Sequence, residues 1–256
     1  MGMQIQFRKS IWIIQFVSII LFSQNTFAQE GLLKDLIKTA DKLNQVLLDL
    51  TEVSDEEENQ VGEELDKEIM KKSKATSTEK WDIKKVWNDV LKQVSRKKIK
   101  YSYKVIKEKD VNAYAIAGGK IYINTELLDF IKSKDELAFV IAHELAHIEL
   151  KHCIRRIQHG VNASKIDPTL GVVVQVAYNT YRLPFNKYEE YEADSLGVVM
   201  MMKAGYSKQG AIDFFTKLAE LEKKYNADKR DPVNDFISTH PFANKRKEKI
   251  EGMKGG

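Results

Sequence analysis

His143, Glu144 and His147 form a His-Glu-x-x-His pattern inside Asp135 to Leu150, a stretch that is apolar nearly all round. On an α-helix, residues four apart lie on one face about a turn from each other, so both imidazoles point the same way. Two neutral imidazoles so placed can share one tetrahedral Zn²⁺, and the neighbouring glutamate can reach a water on that ion. Zinc lowers the pKa of such a water to roughly 7, which is chemistry for splitting an amide bond. The bland alternative is a hydrogen-bonded pair of core histidines. It would leave a carboxylate in a dry interior without a compensating charge, which is costly.

Such a site needs a third protein ligand from another element, and Tyr188 to Gly197 offers one. Read as a helix, this segment places Glu190, Ala193, Asp194, Gly197 and Met201 on one face, with Glu192 turned about 200° from Glu190. Small residues at 193 and 197 allow a close approach to the first helix. Glu190 is therefore the expected third ligand. Asp194 is the expected partner of a ligand histidine's other N–H, fixing its tautomer. The competing reading, an acidic first turn favoured by the helix dipole, suits Glu189 and Glu192 but leaves the small-residue face unexplained.

His143-Glu144-x-x-His147 with His152 five residues on, Glu190-x-x-x-Asp194, and Ser238-Thr239-His240-Pro241 with Arg246 six past the histidine together resemble the CAAX prenyl protease-type zinc metallopeptidases. That family includes HtpX-like membrane heat-shock proteases and soluble periplasmic quality-control proteases. The resemblance spans about residues 80 to 251, and Asn112 to Ile123 looks like the family's strand before the zinc helix. It implies an α+β, mostly helical minigluzincin domain, with a small sheet whose edge strand binds extended substrate. It also implies His143, His147 and Glu190 on one zinc per chain, Glu144 as general base and His240 near the metal. The family often carries an arginine shortly before the third ligand. Lys187 or Arg182 stands near that place here, and no role is assigned to either. The membrane spans of the prenyl proteases are not found, so the chain resembles the soluble periplasmic branch. A metzincin is excluded because Leu150 and Cys153 stand where glycine and histidine are required.

The oxyanion of an amide-hydrolysis intermediate needs a second electrophile. Spacing alone fits His240 equally to a surface histidine at a Pro-ended turn; the resemblance makes it the candidate, with occupation of the open zinc position as its alternative place, and Arg246 is expected to hold its loop. Asn112, Ala113 and Ala115 are expected to pair main chain to main chain with substrate, a weakly selective mode suited to unfolded polypeptide.

Arg8 and Lys9, the apolar run Ile11 to Phe22, and Thr26-Phe27-Ala28 read as a signal peptide over residues 1–28, cleaved near Ala28. A soluble periplasmic protein follows, an uncleaved anchor being the alternative. Formal charge is +4, and losing Arg8 and Lys9 brings it closer to balance, which argues against a nucleic-acid partner. Cys153 is the only cysteine, so no intrachain disulfide forms, and it reads as a small buried hydrophobe.

Residues 29–79 are expected to hold an amphipathic helix over 31–50, a candidate surface for membrane or envelope-protein association. A charged linker or solvated helix from Glu52 to Thr78 should follow, including the acidic run Asp55 to Glu58. The catalytic domain is expected over 80–256. Within it, a helix begins near Thr78, strands cover Ile99–Lys107 and Val111–Ile123 with a Gly118-Gly119 turn, and Ser133-x-x-Glu136 is a capping box opening the zinc helix. Gly160 should end that helical region, Leu170 to Tyr181 should be a core helix, and Gly205 should stop the carboxylate helix. Two functions follow: a zinc endopeptidase acting on misfolded envelope proteins, or a chaperone-like envelope scaffold with structural zinc. The presence of Glu144, which serves chemistry more than metal affinity, favours the first.

Overall fold

The computed structural model describes residues 53–77, 80–164, 169–225, 240 and 243–253. The expected signal peptide (1–28), the amphipathic helix (31–50), and Ser238, Thr239 and Pro241 lie outside the described residues.

The apolar run of the zinc segment becomes helix α4 (Lys134–Glu149). We label the elements before it α1 (Asp55–Met70), β1 (Ala75–Thr76), α2 (Ile83–Leu91), β2 (Ser102–Ile106), β3 (Ala113–Ile116), β4 (Lys120–Asn124) and α3 (Thr125–Phe130). Those after it are α5 (His152–Ser164), α6 (Leu170–Thr180), α7 (Lys187–Lys203), α8 (Gln209–Tyr225) and α9 (Ala243–Glu251). Every residue of α4 from Glu136 to Ile148 is buried, because α2, α5, α7, α8 and β3 surround it. A helix apolar on all sides has no face for water, and the fold gives it none.

The mixed sheet runs β1-β2-β4-β3, with β2 and β4 parallel and both outer pairs antiparallel. Thus β3 is an edge strand, as expected, and it packs on α4. The β3–β4 connection uses Gly118 (φ +76) and Gly119 (φ +81), a conformation that favours residues without Cβ. The architecture is the mostly helical α+β fold the sequence suggested.

Five local expectations are corrected. The linker reading of Glu52 to Thr78 fails for most of its length. Ser54 and Glu57 form a reciprocal capping box that starts α1, and Val61, Leu65 and Ile69 are buried along one stripe. A composition average hides an apolar residue recurring every fourth position. The acidic run is not wholly solvated either. Glu58 is buried, with Oε2 2.5 Å from Arg96 and Oε1 accepting from the Gly118 N–H at 3.2 Å. Gly62 lies against the Ala117–Gly118 backbone so closely that a Cβ would come within 2.3 Å of the Ala117 carbonyl.

At the start of α4, Ser133 accepts from the Glu136 N–H at 3.2 Å, but Glu136 turns back to the Lys132 N–H rather than that of Ser133. Only half of the box is made, because Lys217 also binds the Glu136 carboxylate. Gly160 does not end a helix. It sits inside α5, where a Cβ would meet Val176 Cγ1 at 2.5 Å, so it is a packing residue between α5 and α6. Asp82, not Thr78, caps α2, while Gly205 (φ +91) follows α7 as expected.

Candidate metal centre

The site is made by the approach of α7 to α4. Ala193 and Gly197 form the contact face, and a Cβ on Gly197 would stand 3.0 Å from the His143 amide nitrogen. That closeness carries Glu190, one turn earlier, between the two histidines of α4. His143 Nε2 and His147 Nε2 are 3.1 Å apart, and each lies 3.6 Å from a Glu190 oxygen. A tetrahedral zinc with bonds of about 2.0–2.1 Å separates its ligand atoms by roughly 3.3 Å. The three donors fit that ion. Nitrogen and carboxylate donors of this kind, all buried, are those of a zinc site rather than a calcium site.

His240 joins them. Donor atoms of His143, His147, Glu190 and His240 all lie within 4.8 Å of one another. Its Nδ1 is 3.1 Å from Glu190 Oε1, and its Nε2 is 3.8 Å from Glu144 Oε1. Glu192 points elsewhere, its side chain 63% exposed. Helical phase separates the two glutamates as the sequence predicts.

Behind the donors, Asp194 Oδ1 is 3.1 Å from His143 Nδ1, the place a tautomer-fixing carboxylate must take. Arg246, with no exposed surface, donates to both Asp194 oxygens at 2.7 Å and reaches Glu190 Oε2 at 2.5 Å. Its Nη1 also donates to the His240 carbonyl at 3.3 Å, so one guanidinium touches that backbone and both carboxylates. Burial works against the charge of Glu190 and Asp194. Arg246 overcomes it, holding Asp194 at about 2 and Glu190 below its usual range.

Glu144 differs. It is buried at 1% exposure, with Oε1 3.8 Å from His240 Nε2. Burial raises its pKa, against partial relief from His240, His143 and the Ala115 backbone. Burial, with His143 next in order, pushes His147 well below the ordinary histidine value, so it stands as a neutral imidazole with a lone pair to give. His240 moves the other way. Burial opposes its protonation, but Glu190 and Glu144 pull it up.

Asn112 and Ala115, expected to bind substrate, line a cavity with His240, Tyr181, Arg182, Leu183 and Phe185. Ala113 is fully buried in the same strand and is not among the lining residues. The cavity measures about 10 Å³, room for about one water. Arg182 reaches Glu108 at 2.5 Å and lies over the Tyr114 ring, which fastens the α6–α7 connection beside the edge strand. Cys153 is buried at the back of this strand, near the Ala115 carbonyl, and burial raises its pKa, as befits an inert thiol.

Neighbours of the candidate ligands escape sequence reasoning. Phe185 stacks on His147 with centroids 3.8 Å apart, and Arg156 covers its other face at 3.5 Å. No periodicity connects them. His152 enters the sequence reading only through the resemblance, and its Nδ1 lies 3.0 Å from His147 Nδ1. Its five-residue offset from His147 was the available signal.

Comparison with known proteins agrees with this geometry. A family model described as peptidase family M48 matches residues 77–254. The chain is 33% identical over 154 residues to the mitochondrial metalloendopeptidase OMA1 of Arabidopsis thaliana, covering 58% of this chain and 30% of that protein. It is 27% identical over 172 residues to a putative beta-barrel assembly-enhancing protease of Vibrio cholerae, covering 58% and 34%. It is 30% identical over 133 residues to metalloprotease YcaL of Escherichia coli, covering 47% and 52%. The chain thus spans about a third to a half of the length of these relatives. No helix among the described residues is long and apolar enough to cross a membrane.

Proposed function

This chain belongs to peptidase family M48, and from that premise we propose that it is a zinc-dependent endopeptidase cleaving extended segments of misfolded envelope proteins. Residues 80–256 carry the catalytic unit in this reading. His143, His147 and Glu190 hold the ion, Glu144 is the general base, and Asp194 and Arg246 set the ligands. The observation that carries the proposal is the placement of Glu144, a buried carboxylate 3.8 Å from His240 and beside the point where donor atoms of His143, His147, Glu190 and His240 converge within 4.8 Å. A carboxylate whose pKa burial raises, set next to such donors, is the group a base requires.

Zinc, when bound, supplies the Lewis acidity that polarises a carbonyl and acidifies water. The rest falls to the chain. Glu144 accepts the proton from the water that attacks the peptide carbonyl, then delivers it to the departing amine nitrogen. Its raised pKa suits both halves of that transfer. His240 presents an N–H toward the developing oxyanion. Arg246 keeps Glu190 and Asp194 ionised and in place. Substrate pairs along β3 beside Asn112, Ala113 and Ala115, which requires residues 181–185 to move aside, since the present cavity does not admit a peptide.

The names of the relatives support a metalloprotease, and one of them, a putative beta-barrel assembly-enhancing protease, supports an envelope setting. That context motivates the envelope substrates, secretion by residues 1–28, and a periplasmic location in the soluble branch of the family. Residues 31–50 are proposed to contact the membrane or an envelope protein. A second reading draws on one observation. Structural zinc sites are closed by four protein donors, and His240 offers a fourth. In that reading the site is latent and the protein acts as a chaperone-like scaffold.

Glu144→Gln separates the two. Its zinc content should match wild type while casein cleavage falls by about 10²–10⁴-fold. Equal cleavage by a clean preparation of the variant rejects Glu144 as base, and zinc-replete wild type without cleavage of any unfolded substrate favours the latent scaffold.

A further inference from the structure

The two ligand histidines of α4 are backed by different chemistry. His143 Nδ1 meets the carboxylate of Asp194 at 3.1 Å, and Arg246 neutralises that carboxylate. His147 Nδ1 meets another imidazole instead, at 3.0 Å from His152 Nδ1. The Nε2 of His152 lies 3.4 Å from Glu192 Oε2.

The protons in this chain follow from one rule applied twice. A nitrogen–nitrogen contact of that length needs one N–H and one lone pair. His147 Nε2 faces His143 Nε2 and Glu190, so a cation there requires its lone pair, and its single proton sits on Nδ1. That N–H donates to His152 Nδ1. His152 must then carry its own proton on Nε2, which aims at Glu192. The sequence reading set Glu192 apart from the metal, and by contact that holds. Through the contacts of His147 with His152 and of His152 with Glu192 it is two links away.

His152 is placed with unusual care for a residue just past a helix end. Lys151 adopts φ 61, a left-handed conformation that residues with a Cβ seldom take, and this turn brings the next side chain back over His147. His152 is then 1% exposed, whereas the Glu192 side chain is 63% exposed.

We propose that His152 is a positioning residue for the zinc ligand His147, fixing its tautomer and ring orientation, and that Glu192 is the carboxylate at the solvent end of the same chain of contacts. This rests on the zinc reading given above. It makes His147 the less firmly backed ligand, since a neutral acceptor raises ligand basicity less than a carboxylate does.

The test uses the full chain, with zinc affinity measured by competition against a chelator, the visible spectrum of the cobalt-substituted protein, and the melting temperature in excess chelator. His152→Phe should weaken zinc binding by about 10–100-fold and alter the cobalt bands, with little change in metal-free melting. His152→Asn sets an acceptor oxygen near the place of Nδ1 and should recover most of the affinity. His152→Gln, whose carboxamide reaches toward the place of Nε2, should not, and it stands in if the Phe variant does not fold. Glu192→Leu should weaken binding a few-fold. Wild-type affinity in His152→Phe or His152→Gln overturns the proposal, as does an equal loss in His152→Asn that tracks metal-free melting. Wild-type protein without zinc affinity defeats the zinc reading itself, an outcome distinct from either.

Discussion

Gly197 faces the backbone of His143 across the α7–α4 contact, and a β-carbon there would stand 3.0 Å from the amide nitrogen and 3.1 Å from Cα. The neighbours it would meet are main chain in the middle of a buried helix, which cannot swing away as a side-chain tip can. The gap between the two helices is therefore set at this point, and the positions of Glu190 and the histidines follow from it. A third ligand on a separate helix is useful only at a fixed distance.

Gly197→Val should push the helices apart, costing about 1–3 kcal/mol through overpacking. Zinc affinity should fall more than that of a Val substitution at an exposed α7 position such as Lys203. Chelator competition on both variants checks this; equal affinity would show that the helices adjust without loss.

Arg246 neutralises two buried carboxylates at once. Arg246→Met leaves Glu190 and Asp194 buried without a counter-charge, and it should cost about 3–5 kcal/mol in the metal-free protein. Lysine cannot reproduce the paired contacts to Asp194 together with the reach to Glu190, so Arg246→Lys should rescue little. Urea unfolding in chelator measures both, and a lysine variant as stable as wild type would argue against the forked geometry.

Removing residues up to 78 should not release an inhibited enzyme. Helix α1 buries Val61, Leu65 and Ile69, and Asp55 and Glu58 are the partners of Arg96, whose side chain is 10% exposed. Truncation should yield insoluble protein or a strongly lowered melting temperature. A truncated chain that folds and cleaves faster than the full one would reverse this.

Asp89 on α2 gives a pH signature away from the metal. Hydrogen bonds from Lys85, then Lys92 and Tyr206, hold its carboxyl at about 2 against an ordinary 3.8, although burial opposes this. The folded value is the lower one, so the unfolded chain takes up the proton first as pH falls. The stabilisation is complete above about pH 4 and is lost toward pH 2. The difference in urea midpoint between wild type and Asp89→Asn should be constant from pH 7 to 5 and close below pH 4. A difference unchanged down to pH 3 would exclude a depressed pKa.

Much of the site is local, and what is local was legible in the chain. His143, Glu144 and His147 follow from helical phase within one segment. The same phase separates Glu190 and Asp194 from Glu192, and the small residues at 193 and 197 announce the close approach. Cys153 as a buried hydrophobe and β3 as a strand came from composition and pattern. The charged stretch before the catalytic unit misled, because its average polarity masks a narrow apolar stripe and because Glu58 finds Arg96 only after folding.

Sequence alone determined which residues can bind a metal and which helix faces carry them, since backbone geometry fixes directions within a helix regardless of its surroundings. Only the tertiary structure decided which groups stand behind those ligands. Arg246 lies 52 residues from Asp194, and its double grip, the Phe185 stack and the link from His147 through His152 to Glu192 are contacts across elements. No repeat in the chain records them, because they depend on where helices cross, and those crossings are set by the packing of the whole core.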